Sequence, residues 1–413
     1  MTIITNPNTT LSHGAASPDR LQRIETYGDS NPVISSSEYA LKEASLVHIN
    51  EDGVKAAARY INNRLEAESY TPRTWRTHPL HICPPEPYAP SHPQTRQSLD
   101  WIFLISSLNF SFWSEWEGQS GRYGVRWREG WGEDAQVVHT GYWSLVAAID
   151  RALEEGIPFT EPSFYACETR CPDDLVAHIF RPAPHCKETI PLLKERIAIL
   201  RENGKILVKH FGGSFQNFHD AFQRKHNGHG TALQLVKAVA DTFPSFRDEV
   251  MFNGRKVYFW KRTQILVAES WAAFYPAHAS HPHPLFPGPD GAAIHELTMF
   301  ADYRVPQILH HLRMLVYPPD LLKQLHSHAM LAPGSREEVS IRAASIIAVE
   351  KVKIEIDNIR ALQDQSREEE VSSVLIDFYL WDLAKKVEGG TSAVADVETT
   401  DIISAHRTRS IWY

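Results

Sequence analysis

Three stretches of this chain set charged residues among apolar and aromatic ones, where a charge needs a reason. In LTMFADYRVPQ, residues 297–307, Asp302 follows the apolar run Met299-Phe300-Ala301 and precedes Pro306. Proline is favoured in a first helical turn, where its missing N–H is no loss, so Asp302 falls at or just before a helix N-terminus. The helix dipole favours a carboxylate there, whether it acts as a cap or as part of a site. In LIDFYLWD, residues 375–382, a helix puts Phe378 and Asp382 on one face and Asp377 and Trp381 on the next. If buried, these carboxylates must be paired, hydrogen-bonded or protonated, and such surroundings mark sites of acid–base or charge-stabilising work. If half exposed, they are ordinary solvated residues. In YFWKRTQILVAESW, residues 258–271, Lys261 and Arg262 could hold a phosphate and Glu269 could support a site, although a Lys-Arg pair is more often solvated surface. The glycines of KHFGGSF, residues 209–215, fit either an anion or a tight turn, and the turn is the simpler reading.

Other chemistries lack their signatures. No G-x-S-x-G elbow and no H-E-x-x-H helix occurs, which disfavours a serine hydrolase and a zinc peptidase. No Gly-rich phosphate loop follows a strand, and strands do not alternate with helices, so Rossmann and P-loop folds are disfavoured. Cys167 and Cys171 have no second pair at zinc spacing. His278, His281 and His283 lie in PAHASHPHPLFPGP, residues 276–289, whose five prolines point to an extended surface insertion rather than a metal cluster.

The elements that must position these residues are mostly helices. Apolar periodicity marks helices over 54–65, 99–108, 140–155, 191–202 (stopped by Gly204), 231–243, 294–299, 306–316, 319–326, 335–365 and 372–386. Short β elements are expected around 123–127 and 136–139, and a hairpin over 252–258 turns at Asn253-Gly254. Five prolines between 84 and 93 make an irregular connector. Residues 1–35 read as a disordered leader and 36–413 as a single helical domain, in one or two lobes, with loop insertions near 276–290 and 388–400.

Bulk properties bound the function. With 413 residues, 43% hydrophobic and 22% charged, the chain can bury a real core. A formal net charge of −8 argues against a broad nucleic-acid-binding face, while leaving room for a small ligand with one phosphate. No run approaches the roughly 18 apolar residues of a membrane span. The polar start lacks a secretory h-region, so the four cysteines are expected reduced and the protein cytoplasmic.

Several of these strings resemble the queuosine salvage family of queuosine 5'-phosphate N-glycosidases. They are SSLNFSFWSE (106–115), GYWSLVAAIDRALEEGIP (141–158), GKILVKHFGGSF (204–215), KRTQILVAESW (261–271), LTMFADYRVPQ (297–307), LIDFYLWD (375–382) and HRTRSIWY (406–413). They stand in the family's order, and the resemblance extends over about residues 40–413. The resemblance implies a mainly α, helical glycosylase-like fold with a few short strands or hairpins. It implies hydrolysis of queuosine 5'-monophosphate to free queuine, with no cofactor, no metal, no direct nucleic-acid partner and no membrane. A non-catalytic queuine- or queuosine-nucleotide-binding protein is the alternative. The resemblance places His81, Phe300, Asp302, Asp377 and Phe378 around the substrate and Asp382 at the chemistry. His81 rests on the short string HPLHICPP, in which His78 is a second candidate. Phe378 stands where relatives often carry Tyr, and Glu269 where Asp is expected.

These residue types suit that substrate. Queuine is a 7-deazaguanine with an aminomethyl-linked cyclopentenediol. Its guanine-like edge offers N–H donors to a carboxylate, and its secondary amine is a cation another carboxylate can match. Lacking N7, the base has no usual protonation site as it leaves. Catalysis must then lean on stabilising an oxocarbenium-like sugar and activating water, which a carboxylate near the anomeric carbon can do. Lys261 and Arg262 are the expected phosphate ligands.

Overall fold

A computed structural model describes residues 30–278, 280–362, 371–390, 394 and 396–413. In chain order the helices are α1 (Pro32–Ala44), α2 (Glu51–Ala67), α3 (Pro93–Leu108), α4 (Tyr142–Glu154), α5 (Pro162–Tyr165), α6 (Asp173–Ile179), α7 (Leu193–Phe211), α8 (Phe215–Lys225), α9 (Ala232–Thr242), α10 (Lys261–Ala273), α11 (Val305–His311), α12 (Pro319–His326), α13 (Arg336–Leu362) and α14 (Ser373–Glu388). The strands are β1 (His48–Ile49), β2 (Gly124–Arg128), β3 (Gln136–Thr140), β4 (Glu249–Phe252), β5 (Arg255–Tyr258) and β6 (Leu315–Val316). They pair as three separate antiparallel ribbons, β1 with β6, β2 with β3 and β4 with β5, so the fold is mainly α. Among the described residues no helix is long and apolar enough to cross a membrane.

The interior is built from helices that are buried nearly all round, with hydrogen-bonded polar side chains among their apolar ones. Every residue of α3 from Ser98 to Leu108 is buried, and so is every residue of α10 except Ile265. These two pack on each other, and α3 also contacts α4, α7 and α8. The first half of α13 is buried, and the helix packs on α1, α2 and α14. α1 opens at Pro32 with Asn31 as its cap and Val33 fully buried, inside the stretch expected as leader. Residues 1–29 of that leader lie outside the described residues.

Three sequence expectations give way to packing. The helix expected to stop at Gly204 runs through it to Phe211 as α7. A Cβ there would stand 2.8 Å from the Tyr165 ring, so this glycine is a close-approach site, not a terminus. The helix expected over 294–299 is only a 3-10 turn, Ile294–Glu296. The following backbone is claimed by buried side chains instead: Thr298 N–H donates to Gln264 Oε1 (3.0 Å) and Phe300 N–H to Asp377 Oδ1 (2.9 Å). The helix expected to reach Val316 ends at His311, because Leu315–Val316 pairs with β1.

In the expected insertion over 276–290, His283 is buried, with Nε2 3.0 Å from the Trp271 carbonyl and Nδ1 accepting from Leu285 N–H at 3.1 Å. It pins the loop to the end of α10, while His278 and His281 are exposed. Among the described residues no group of three or more His, Cys, Asp or Glu is placed to hold a metal ion. Gly212 and Gly213 form a tight turn at φ +58° and +73° between α7 and α8. Ser214 caps α8, and Asp100 takes the Ser214 hydroxyl (3.2 Å) and the Phe215 N–H (2.6 Å).

Candidate functional site

A cavity of about 290 Å³ is lined chiefly by five segments, with Asn109, Phe112 and Tyr413 completing it. The five segments are the stretch around the 3-10 turn Pro72–Thr77, the first turn of α4, the inward face of α10, the irregular stretch 297–304 and α14. His81, Lys261, Glu269, Phe300, Asp302, Asp377, Phe378 and Asp382 all line it. The structure thus brings together every sequence-predicted residue except Arg262.

The carboxylates differ in how they are held. Asp377 is buried and its Oδ1 accepts the Phe300 N–H, and burial pushes its carboxyl well above the usual carboxylate range. That bond ties α14 to the extended stretch and sets Phe300 6.0 Å from Phe378, ring centre to ring centre. Asp302 Oδ1 accepts from Arg304 N–H (2.8 Å) and Val305 N–H (2.9 Å), so it fixes the turn that leads into α11 while lining the cavity. A structural role and a place in the site are therefore compatible for this residue. Asp382 is partly buried and its Oδ2 accepts from the Tyr70 hydroxyl at 2.7 Å. Burial raises its carboxyl, and the Tyr70 hydrogen bond opposes that rise.

Lys261 stands among these acids. It is 4% exposed, and its Nζ donates to Asn109 O (3.2 Å) and Asn109 Oδ1 (3.1 Å). Burial pushes its pKa down to about 8, against the pull of the Asp302, Glu269 and Asp377 carboxylates. Arg262, the next residue, points elsewhere, because successive residues of a helix are turned by about 100°. Its guanidinium is buried, donates to the carbonyls of Ser107 and Ser245, and lies over the rings of Phe110 (5.1 Å) and Phe246 (5.2 Å). It is a core brace and does not serve as the expected phosphate ligand.

His81 and His78 both line the cavity, in different ways. His81 stacks on Trp75 at 3.9 Å, and its Nδ1 lies 2.6 Å from the Trp75 carbonyl. A carbonyl can only accept, so Nδ1 carries the proton and Nε2, buried without a partner, is a bare acceptor. Burial, aided by His78, pushes the His81 pKa down to about 3, so the ring is neutral near pH 7. His78 lies flat on Trp143, 3.6 Å away and 5° from parallel. The walls are completed by Tyr142, Trp143 and Trp381, with Trp143 and Trp381 edge to face at 5.6 Å. Trp75, Tyr142 and Trp143 are not among the sequence candidates, and Trp381 enters the sequence reading only as sharing a helix face with Asp377. Trp381 and the Tyr142-Trp143 pair sit inside strings that carry the resemblance, whereas nothing around Trp75 marked it.

Glu269 faces the cavity from α10 and accepts from the Tyr142 hydroxyl at 3.3 Å. Burial pushes its carboxyl up to about 7, with Lys261 opposing. Between the ordinary value of 4.5 and about 7 the folded chain therefore holds a proton that the unfolded chain has lost. Stability contributed at this position is present at low pH and falls as pH rises through that window. Glu269→Gln is expected to remove this slope. Urea unfolding of both proteins at intervals between pH 4.5 and 7.5 checks it, and parallel curves would refute it.

The queuosine salvage protein family model matches residues 89–413. The chain is 38% identical over 385 residues to the queuosine 5'-phosphate N-glycosylase/hydrolase of Schizosaccharomyces pombe, covering 92% of this chain and 99% of that protein. It is 35% identical to the Mus musculus protein of the same name, over 92% and 97% of the two chains. With the Sphaerobacter thermophilus protein of that name, identity is 36% over 94% and 99%.

Proposed function

Because the chain belongs to the queuosine salvage family, we propose that it hydrolyses the N-glycosidic bond of queuosine 5'-monophosphate and releases queuine. The observation that carries this reading is the convergence of Asp302, Asp377 and Asp382, from two separate segments, on one cavity with aromatic walls. A flat base with several N–H donors and a cationic amine suits such a lining, and a purely apolar ligand does not. Phe300 and Phe378 pack on the rings. Asp377, Asp302 and the bare Nε2 of His81 accept from the base, ribose and amine.

Asp382 is assigned to the chemistry. As the bond between C1' and the base nitrogen breaks, its electron pair leaves with the base and positive charge grows on the sugar. The Asp382 carboxylate stabilises that charge and takes a proton from the attacking water, which bonds to C1', and that proton then passes to the departing base nitrogen to give queuine and restore the carboxylate. A second reading gives this post to Asp302, whose carboxylate is fixed by two backbone N–H groups on a single oxygen. The substrate is the free nucleotide rather than tRNA, in keeping with a net charge of −8, and the reaction belongs in the cytoplasm.

The test is to incubate the protein with queuosine 5'-monophosphate, unphosphorylated queuosine and GMP, and to follow free base by mass spectrometry. Queuine released chiefly from the monophosphate is the expected result. Binding without release would replace hydrolysis by capture.

A further inference from the structure

We propose that the first turn of α4, together with Arg122, Arg304 and Lys385, seats the phosphomonoester of the nucleotide. This rests on the hydrolysis proposed above and deepens it, because it moves the phosphate from Lys261 to another part of the cavity wall.

α4 is 13 residues long, and no side chain caps its N-terminus. The first N–H groups of a helix have no partner within it, and the dipole leaves partial positive charge there. The N-cap residue is Gly141, at φ +60° and ψ −138°, a conformation that side chains resist. Its missing side chain also leaves room. A Cβ on Gly141 would lie 3.3 Å from Arg122 Nη2 and 4.0 Å from Lys385 Nζ, so two cationic tips stand over the helix end. Gly141, Arg304 and Lys385 line the cavity.

A second observation points to an anion. Arg122 is 9% exposed; its Nη1 pairs with Glu117 at 2.7 Å, but its Nη2 is buried with no hydrogen-bond partner. Most buried guanidinium N–H groups find an acceptor in folded proteins, and this one stands over the uncapped turn, where a Cβ on Gly141 would lie 3.3 Å away. The acids nearby do not cancel the charge. Glu388 pairs with Arg304 (3.1 Å) and Lys385 (2.9 Å), and Glu117 pairs with Arg122 and stands 3.8 Å from Arg304. Three cations against two carboxylates leave one positive charge, added to that of the helix end.

Position along the site agrees. Lys385 is three residues beyond Asp382 on α14, about one helical turn, so an anion seated there adjoins the carboxylate assigned to the anomeric carbon. Lys261 instead stands among Asp302, Glu269 and Asp377, and two of its three Nζ–H donors are already taken by Asn109.

Lys385→Gln and Arg122→Gln test the assignment. Lys385 is the safer change, since its side chain is 25% exposed. In each variant the ratio of kcat/KM for the monophosphate to that for the nucleoside should fall by about tenfold or more. The loss should appear mainly in KM. An unchanged ratio overturns the proposal, even if both activities drop together. Should the wild type cleave neither compound, the hydrolysis reading fails and inorganic phosphate judges the seat alone. Phosphate-dependent thermal stabilisation of the wild type, lost in both variants, supports it; stabilisation shared by all three, or absent from all, overturns it.

Discussion

Asp382→Asn should lower kcat on queuosine 5'-monophosphate by about 100-fold or more while the protein stays folded. Asparagine keeps the shape and one carbonyl oxygen, so the Tyr70 hydroxyl bond at 2.7 Å can survive. What is lost is the negative charge that stabilises the sugar cation and receives the proton from water. Tyr70→Phe separates this role from simple packing. The Tyr70 bond favours the ionised form of a carboxyl already raised by burial. Without that bond the carboxyl should rise further. A base works only when ionised, so the acidic limb of the pH profile should move to higher pH in Tyr70→Phe. A merely structural Asp382 would leave that limb in place. The companion variant is Asp302→Asn. If Asp382→Asn turns over almost normally and Asp302→Asn does not, the catalytic post passes to Asp302, and Asp382 becomes a ligand for substrate.

The site residues legible in the sequence were those whose chemistry is local. Asp302 beside Phe300, and Asp377 and Asp382 around Phe378, are anomalies within short strings, and a charge in an apolar string stands out without knowledge of the fold. The aromatic walls were not legible in this way. Trp75, Trp143 and Trp381 come from distant parts of the chain, and each alone is an ordinary core aromatic. The rim cations were hidden for the same reason, since Arg122, Arg304 and Lys385 meet only through tertiary packing. Arg262 was misread because a Lys-Arg pair at a helix start does not reveal which residue turns inward to the cavity and which into the core. Among the elements, periodicity located most of the long helices and passed over α5, α6 and α8. It failed where a buried side chain outbid the local helix for backbone hydrogen bonds, at Thr298 and Phe300, and where a glycine that looks like a stop allows helix α7 to approach Tyr165.

Asp248→Ala should destabilise the fold by about 3–5 kcal/mol, through an ion pair no local pattern revealed. Arg342 donates to both Asp248 oxygens, at 3.0 and 2.5 Å, deep in the core, where the side chains are 2% and 3% exposed. The guanidinium lies between the rings of Phe259 (3.9 Å) and Tyr413 (4.2 Å), and Glu338 approaches it at 3.3 Å. Replacing a buried pair by apolar groups can be neutral, but removing one partner strands the other charge, and Glu338 alone cannot supply the lost bidentate contact. Urea unfolding measures the loss. The double variant Asp248→Ala/Arg342→Ala should be less destabilised than the sum of the single variants. A loss below about 1 kcal/mol in Asp248→Ala would mean that the pair merely balances its own desolvation. Activity should suffer beyond what stability explains, because both partners also hold the site. Asp248 Oδ2 accepts the Lys261 N–H at 3.2 Å and so fixes the start of α10, while Arg342 Nε donates to the Ala301 carbonyl at 2.9 Å, one residue before Asp302. A single buried pair thus sets Lys261 against Asp302. Loosening it should raise KM and lower kcat under conditions where the variant is still fully folded.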